Sequence, residues 1–261
     1  MERLRRIIDY AIKDKADIVV FPEMMGNDVC IQFCREYISM AFSEWRPKLF
    51  LLPSWEHEEN GKWYNTLYAL DRNGDCIFKY NKQHAFCLDK NTPDGTEIVK
   101  YFEPIEADGN VYIVHVPGIG RIGMIICADA FEEGYLVRLV KELKITLLLY
   151  PTFTFGKDLM KRVIKYAEVF SCDVIFCNTC AAWDDALEPP ENRKENNSFD
   201  SEFVGFYHPA GHKNYEEAAM KKLPFADCKG SVCQGCLFVT KLAKKYNTQF
   251  VASQQIRLEE A

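Results

Sequence analysis

In the stretch "GRIGMIICAD", residues 120–129, an apolar run ends on Cys127 and an acidic residue follows two positions later. A short continuous apolar run bounded by turn residues reads as a strand buried on both faces, which belongs in a sheet covered by helices. A lone thiol at such a place is most often a small buried hydrophobe. Its meaning therefore depends on what the rest of the chain brings to it.

Working outward, "MERLRRIIDYAIKDK" has the apolar spacing of an amphipathic helix and runs into the buried strand "ADIVVFPE". Further strands are expected in "PKLFLLPSW", "WYNTLYALDRNGDCIFKYNKQH", "NVYIVHVPGIGRIGMIICAD", "ITLLLYPTF" and "CDVIFCNTC", with "RNGD" as a hairpin turn. Helical patterns lie at about Val29 to Glu44, Glu132 to Leu143 and Asp158 to Phe170. Apolar strands alternating with helices, plus hairpins, predict an α/β fold with mixed sheets covered by helices. Residues 182–202 are polar and proline-containing and read as a long surface excursion. No internal repeat or second domain is visible, so residues 1–261 read as one domain.

The 261 residues are 48% hydrophobic, enough for a sizeable core, and carry a net charge of −6. Positive residues are scattered and form no stripe with aromatics, which argues against direct nucleic-acid binding. No apolar run approaches the roughly 20 residues of a membrane-spanning helix, and the basic start lacks a secretory h-region. The sequence reads as cytoplasmic, with no membrane partner. Its eleven cysteines fall mostly in apolar runs, as reduced buried thiols do. Two clusters, Cys172/Cys177/Cys180 and Cys228/Cys233/Cys236, share one spacing, and the second follows His208 and His212, a pattern that raises a zinc site. It is disfavoured, because alternating side chains of a strand do not converge on one ion and clean CxxC knuckles are missing.

Two other segments bear on Cys127. Glu23, in "VVFPEMMG", stands at the carboxyl end of a buried strand, from which side chains of an α/β sheet reach a cleft. Taken alone it also reads as a cap of the following turn. Lys82 and His84 follow a hairpin strand in "YNKQHAF", where a lysine is ordinarily solvated.

Together, "VVFPE", "YNKQHAF" and "GRIGMIICAD" resemble, in order and separation, the three motifs of the nitrilase superfamily, the carbon–nitrogen hydrolases. The likeness extends to "WYNTLYALDRNGDCIFKYNK", "LLLYPTF" and "KYAEVFSCDVIFCNTC" and weakens after about residue 181. It implies an α-β-β-α sandwich and hydrolysis of an amide, nitrile or carbamoyl bond of a small molecule through a cysteine thioester. Carried over by motif, Cys127 is the nucleophile, Glu23 the base, and Lys82, with the backbone N–H of Ala128, the oxyanion partner. A second glutamate is also implied, which Glu97 matches best and Glu103 next. The resemblance gives His84 a positioning role, while the residues around Asp129 favour a helix cap. This reading calls for no cofactor or metal, and it expects Cys127 to be the partly ionised thiol of the chain.

One family strand is absent, because the chain opens directly on the helix before "ADIVVFPE". The sequence therefore predicts an unpaired side next to that strand, and either an upstream extension or fused domain, or coverage by another subunit. The resemblance also implies pairing into homo-oligomers. A catalytically silent regulatory or assembly module of the same fold is the alternative that the motifs leave open.

Overall fold

The computed structural model describes residues 1–91, 98–154, 162–165, 169, 171–179, 205–210, 236–239 and 254–257. The expected amphipathic helix is α1 (Glu2–Lys13), which buries Ile8 and Ala11. It leads into β1 (Ile18–Val20). The next helix, α2 (Asp28–Met40), starts where the Asn27 side chain accepts the Cys30 N–H at 2.8 Å, satisfying one of the otherwise orphaned donors of a first turn. It ends before the Glu44 that the apolar spacing had suggested.

Four strands complete the first sheet: β2 (Leu49–Leu51), β3 (Trp55–Glu59), β4 (Lys62–Leu70) and β5 (Cys76–Asn81). β1 pairs parallel to β2, and β4 pairs antiparallel with β2, β3 and β5. Among the described residues β1 pairs with no strand but β2, so the side that the sequence left unpaired is the edge of this sheet. Asn60 and Gly61, with φ of 55° and 78°, form the two-residue turn between β3 and β4. Both positions of that turn type need positive φ, which is why Asn-Gly suits it. At the "RNGD" hairpin, Gly74 (φ 81°) lies so close to the Arg35 carbonyl of α2 that a side chain there would collide.

A hairpin of β6 (Cys87–Asn91) and β7 (Ile98–Phe102) follows, which the strand pattern did not announce. The second sheet contains β8 (Val114–Val116), β9 (Gly120–Met124), β10 (Leu147–Pro151), β11 (Asp173–Cys177) and β12 (Gly205–His208). Its three central strands, β9, β10 and β11, run parallel, and β8 and β12 flank them antiparallel. A short helix α3 (Glu133–Val137) continues into a wider π turn at Arg138–Glu142, so the expected helix forms in two pieces. Of the helix expected beyond Asp158, residues 162–165 are helical. A separate ribbon pairs β13 (Cys236–Val239) with β14 (Gln254–Arg257).

The two-residue period of the strands sorts their side chains into layers. Val19, Phe21, Phe50, Leu52 and Leu70 pack with Ile8, Ala11, Ile31, Cys34 and Ile38 of the first two helices. The alternate residues Leu49, Leu51, Leu67, Ala69 and Tyr80 pack instead with Ile122, Met124, Leu147 and Leu149 of the second sheet. Leu136, Leu139, Val140, Val163 and Ile164 join that second cluster from the helical segments. Each such side chain contributes about 1.5–3 kcal/mol on burial, so the α-β-β-α layering follows from where the strands place their apolar faces.

No described helix is long and apolar enough to cross a membrane. Residues 182–202 lie outside the described residues, as do His212, Cys180, Cys228 and Cys233 of the candidate zinc clusters. Among the described residues no group of three or more His, Cys, Asp or Glu could hold a metal ion.

Candidate active site

Phe21 still donates its N–H to the Leu51 carbonyl at 3.0 Å, and two residues later Glu23 leaves the first sheet and donates its N–H to Thr152 of the second at 3.4 Å. Its side chain is only 2% exposed. Lys82, equally buried, comes directly after β5 and is held to β4 by its N–H on the Asn65 carbonyl at 2.8 Å. Lys82 Nζ donates to Glu23 Oε1 at 2.8 Å and to Glu103 Oε2 at 2.7 Å. An ammonium has three N–H donors, so one is left for a further acceptor.

Glu103 follows β7, and its N–H on the Phe86 carbonyl at 2.9 Å draws it inward. Asn65 sits between the two carboxylates, donating its Nδ2 to Glu23 Oε1 at 2.9 Å and to Glu103 Oε1 at 3.0 Å. Backbone donors complete the set: Phe153 N–H on Glu23 Oε2 and Phe86 N–H on Glu103 Oε2, both at 2.8 Å. Buried charges are tolerated only when paired and hydrogen-bonded in this way.

Cys127 opens a tight 3-10 turn, Cys127–Phe131, immediately beyond β9. Its φ of 41° lies in the left-handed region, a strained conformation for a residue with a Cβ and one that recurs at functional sites. The thiol lies 3.9 Å from the Phe153 carbonyl, and Tyr150 OH donates to the Cys127 carbonyl at 3.1 Å. One peptide segment thus meets both groups, since Phe153 offers its N–H to Glu23 and its carbonyl to Cys127. Ala128, next in the turn, is buried.

Asp129 is fully buried and, in place of the helix cap expected near Phe131, gathers donors from around the turn. Its Oδ2 accepts the Ile126 N–H and the Tyr80 hydroxyl, and its Oδ1 accepts the N–H groups of Gln83 and His84, all at 2.8 Å. It therefore ties the turn bearing Cys127 to the loop bearing Lys82. His84 has its ring edge-on to Tyr135 and its Nδ1 3.5 Å from Asp129 Oδ1.

The electrostatics follow from burial. Desolvation raises the Glu23 carboxyl above its ordinary range, with Lys82 opposing and the charge of Glu103 adding to the rise. Burial alone would lower Lys82, but Glu23, Cys127 and Glu103 more than reverse it and the ammonium is held charged. The Cys127 thiol is pushed well up by burial and by Glu23, despite Lys82. Burial thus works against the partly ionised thiol that the motifs lead one to expect.

Of the residues picked from sequence, Glu23, Lys82, Cys127 and Ala128 come together here. Glu97 lies outside the described residues, whereas Glu103 stands against Lys82. Asn65 and the Phe153 backbone were not foreseen. Asn65 had a signal, since it shares a strand face with the core residues Leu67 and Ala69, and a polar residue in that series is a departure that asks for a partner.

The family model for carbon-nitrogen hydrolases matches residues 31–166, a span that holds Lys82, Glu103 and Cys127 and begins after Glu23. The chain belongs to the carbon–nitrogen hydrolase family. Its place in the nitrilase superfamily agrees with the motifs. A deaminated glutathione amidase of Synechocystis sp. is 26% identical over 175 residues, 60% of this family member and 63% of that protein. The chain thus spans less than two thirds of the curated relatives it matches. Among solved structures, the C. elegans NitFhit protein superposes with a TM-score of 0.54 at 21% identity, over 68% of this chain and 46% of that one. Saccharomyces cerevisiae Nit3, a member of branch 10 of the nitrilase superfamily, gives 0.51 at 16% identity over 68% of each chain. At these identities the superpositions establish the fold, a nitrilase-type α/β sandwich.

Proposed function

We propose that this chain hydrolyses a carbon–nitrogen bond of a small amide, or a nitrile or carbamoyl group, through a thioester on Cys127. The observation that carries the reading is the buried Glu23–Lys82–Glu103 cluster beside the Cys127 turn, with Phe153 touching both Glu23 and the Cys127 thiol. The amidase among its relatives supports an amide as substrate.

In this mechanism Glu23 takes the thiol proton as Sγ attacks the carbonyl carbon, so the high resting pKa of Cys127 is overcome only when substrate is present. Negative charge then builds on the carbonyl oxygen. The remaining N–H of Lys82 and the backbone N–H of Ala128 stabilise it, each such donor being worth roughly 10²–10³ in rate. Protonated Glu23 returns its proton to the departing nitrogen, and ammonia or an amine leaves. Water, deprotonated by the same carboxylate, attacks the thioester, and the acid leaves as the thiol is restored. A raised Glu23 pKa suits a group that both takes and gives a proton. Glu103 does not touch the reacting atoms; it holds Lys82 in place.

The test is intact-mass spectrometry during turnover of a panel of small amides and nitriles. An adduct of acyl mass on Cys127 is expected, and Cys127→Ala should form none and lose at least about 10³-fold in kcat while melting as a folded protein. Ammonia release that persists in Cys127→Ala would overturn the mechanism. A chain that neither turns over nor acylates across the panel would favour the silent module.

A further inference from the structure

Glu56 of β3 lies directly opposite Asn65 of β4 in the antiparallel register. Residues so paired project from the same face of a sheet, and this is the face from which Asn65 reaches Glu23 and Glu103. Glu56 is half-buried, and its Oε1 is fully shielded with no hydrogen-bond partner among the described residues. Asn65 is 0% exposed, and its Oδ1 likewise has no donor among the described residues. A buried acceptor without a donor is costly, and here two stand as cross-strand neighbours beside the reacting groups.

The charges agree with this placement. Burial raises the Glu56 carboxyl, and the negative charges of Glu103 and Glu23 raise it further against Lys82. The phenol of Tyr101, a residue 47% exposed, is pushed up by burial and by the charges of Glu56 and Glu103. Three carboxylates therefore face one ammonium, a balance that repels an anionic ligand and attracts a cationic one.

We infer that Glu56, with Asn65 Oδ1, forms the substrate-selecting end of the site and takes an amide whose part remote from the scissile bond carries an amino group or similar N–H donors. The inference rests on the hydrolase reading above. An ammonium supplies several N–H donors and so satisfies both orphaned acceptors at once, whereas a hydrocarbon end leaves them buried without partners and a carboxylate end adds repulsion.

The experiment compares γ-aminobutyramide, butyramide and succinamate as substrates of the wild-type chain, Glu56→Gln and Glu56→Asp. Wild type should prefer γ-aminobutyramide to butyramide by about 10-fold or more in kcat/KM and use succinamate least. Glu56→Gln should bring the first ratio close to unity and relieve the penalty on succinamate, while Glu56→Asp, which keeps the charge at shorter reach, should retain part of the preference. Equal rates in wild type, or a ratio unchanged in Glu56→Gln, overturn the inference and leave the hydrolase reading standing. If no amide is turned over and none acylates Cys127, the hydrolase reading fails, and selection is read from melting temperature. A rise with γ-aminobutyramide that is absent with succinamate and lost in Glu56→Gln supports the inference, and equal shifts overturn it.

Discussion

Lys82 is placed between two carboxylates, and the second has a purpose that the first alone does not serve. A single Glu23–Lys82 pair would leave Lys82 free to swing about one contact, whereas Glu103 fixes a second N–H direction and so aims the third. Its negative charge also raises Glu23. In the proposed mechanism Glu23 must be deprotonated to act as base, so activity should fall as pH drops through its folded-state pKa. Because that pKa is raised, the acid limb of kcat/KM should lie above pH 4.5, the ordinary value for the group. Glu103→Gln removes one cause of the rise and should move that limb to lower pH, with a smaller kcat because Lys82 is less firmly aimed. A pH–rate profile checks both, and a limb that stays put or moves up would show that Glu103 does not act on Glu23. Glu23, Lys82 and Cys127 were legible because each sits in a short local motif. Glu103 was the second choice after Glu97, since the β6–β7 hairpin that precedes it was not read from sequence.

Two devices at the level of elements align the residues, and both depend on single side chains. The Asn60–Gly61 turn fixes the β3–β4 register, and a slip of one residue would swing Glu56 to the opposite face from Asn65. The sequence carried this dipeptide in plain view, yet the Glu56–Asn65 pairing that follows from it needs the register and not only the turn. Asp129 is the other device, accepting four donors from three neighbouring segments at 0% exposure. The cap of a helix near Phe131 expected from sequence is not among them: the one local bond runs back to the Ile126 N–H, and α3 follows Glu132 without a side-chain cap. The other three come from residues some 45 to 49 positions away, a distance at which no local pattern speaks. Asp129→Ala should orphan buried donors at about 1–3 kcal/mol each and destabilise the fold by at least about 3 kcal/mol. Urea unfolding measures this, and a loss under about 1 kcal/mol would mean that solvent readily replaces the carboxylate.

At the scale of the molecule, the site is a seam. Glu23 and Lys82 come from the first sheet, Cys127 and Phe153 from the second, and bonds such as Phe153 N–H to Glu23 and Cys177 Sγ to the Val20 carbonyl, at 3.3 Å, cross between them. The distance between Glu23 and Cys127 is therefore set by how the sheets pack. Buried strands could be read from apolar runs, but which faces meet could not, because a run such as "LFLL" is apolar on both sides and fits either layer. The structure resolves it by alternation: Leu51 faces the second sheet, while Phe50 faces α1 and α2. This difference gives a direct test. Leu51→Ala and Phe50→Ala both empty fully buried positions and should cost about 2–5 kcal/mol each. Only Leu51 supports the seam, since its side chain packs in the cluster shared with Ile122, Met124, Leu147 and Leu149 of the second sheet, while Phe50 packs in the helix cluster. A misplacement on the order of 1 Å between reacting groups costs up to about 10²-fold in rate. At a temperature where both variants are fully folded, Leu51→Ala should lose about 10-fold or more in kcat, and Phe50→Ala should lose far less. Equal losses would mean that the helices govern the site as closely as the facing sheet does, and the seam would not be what sets its geometry.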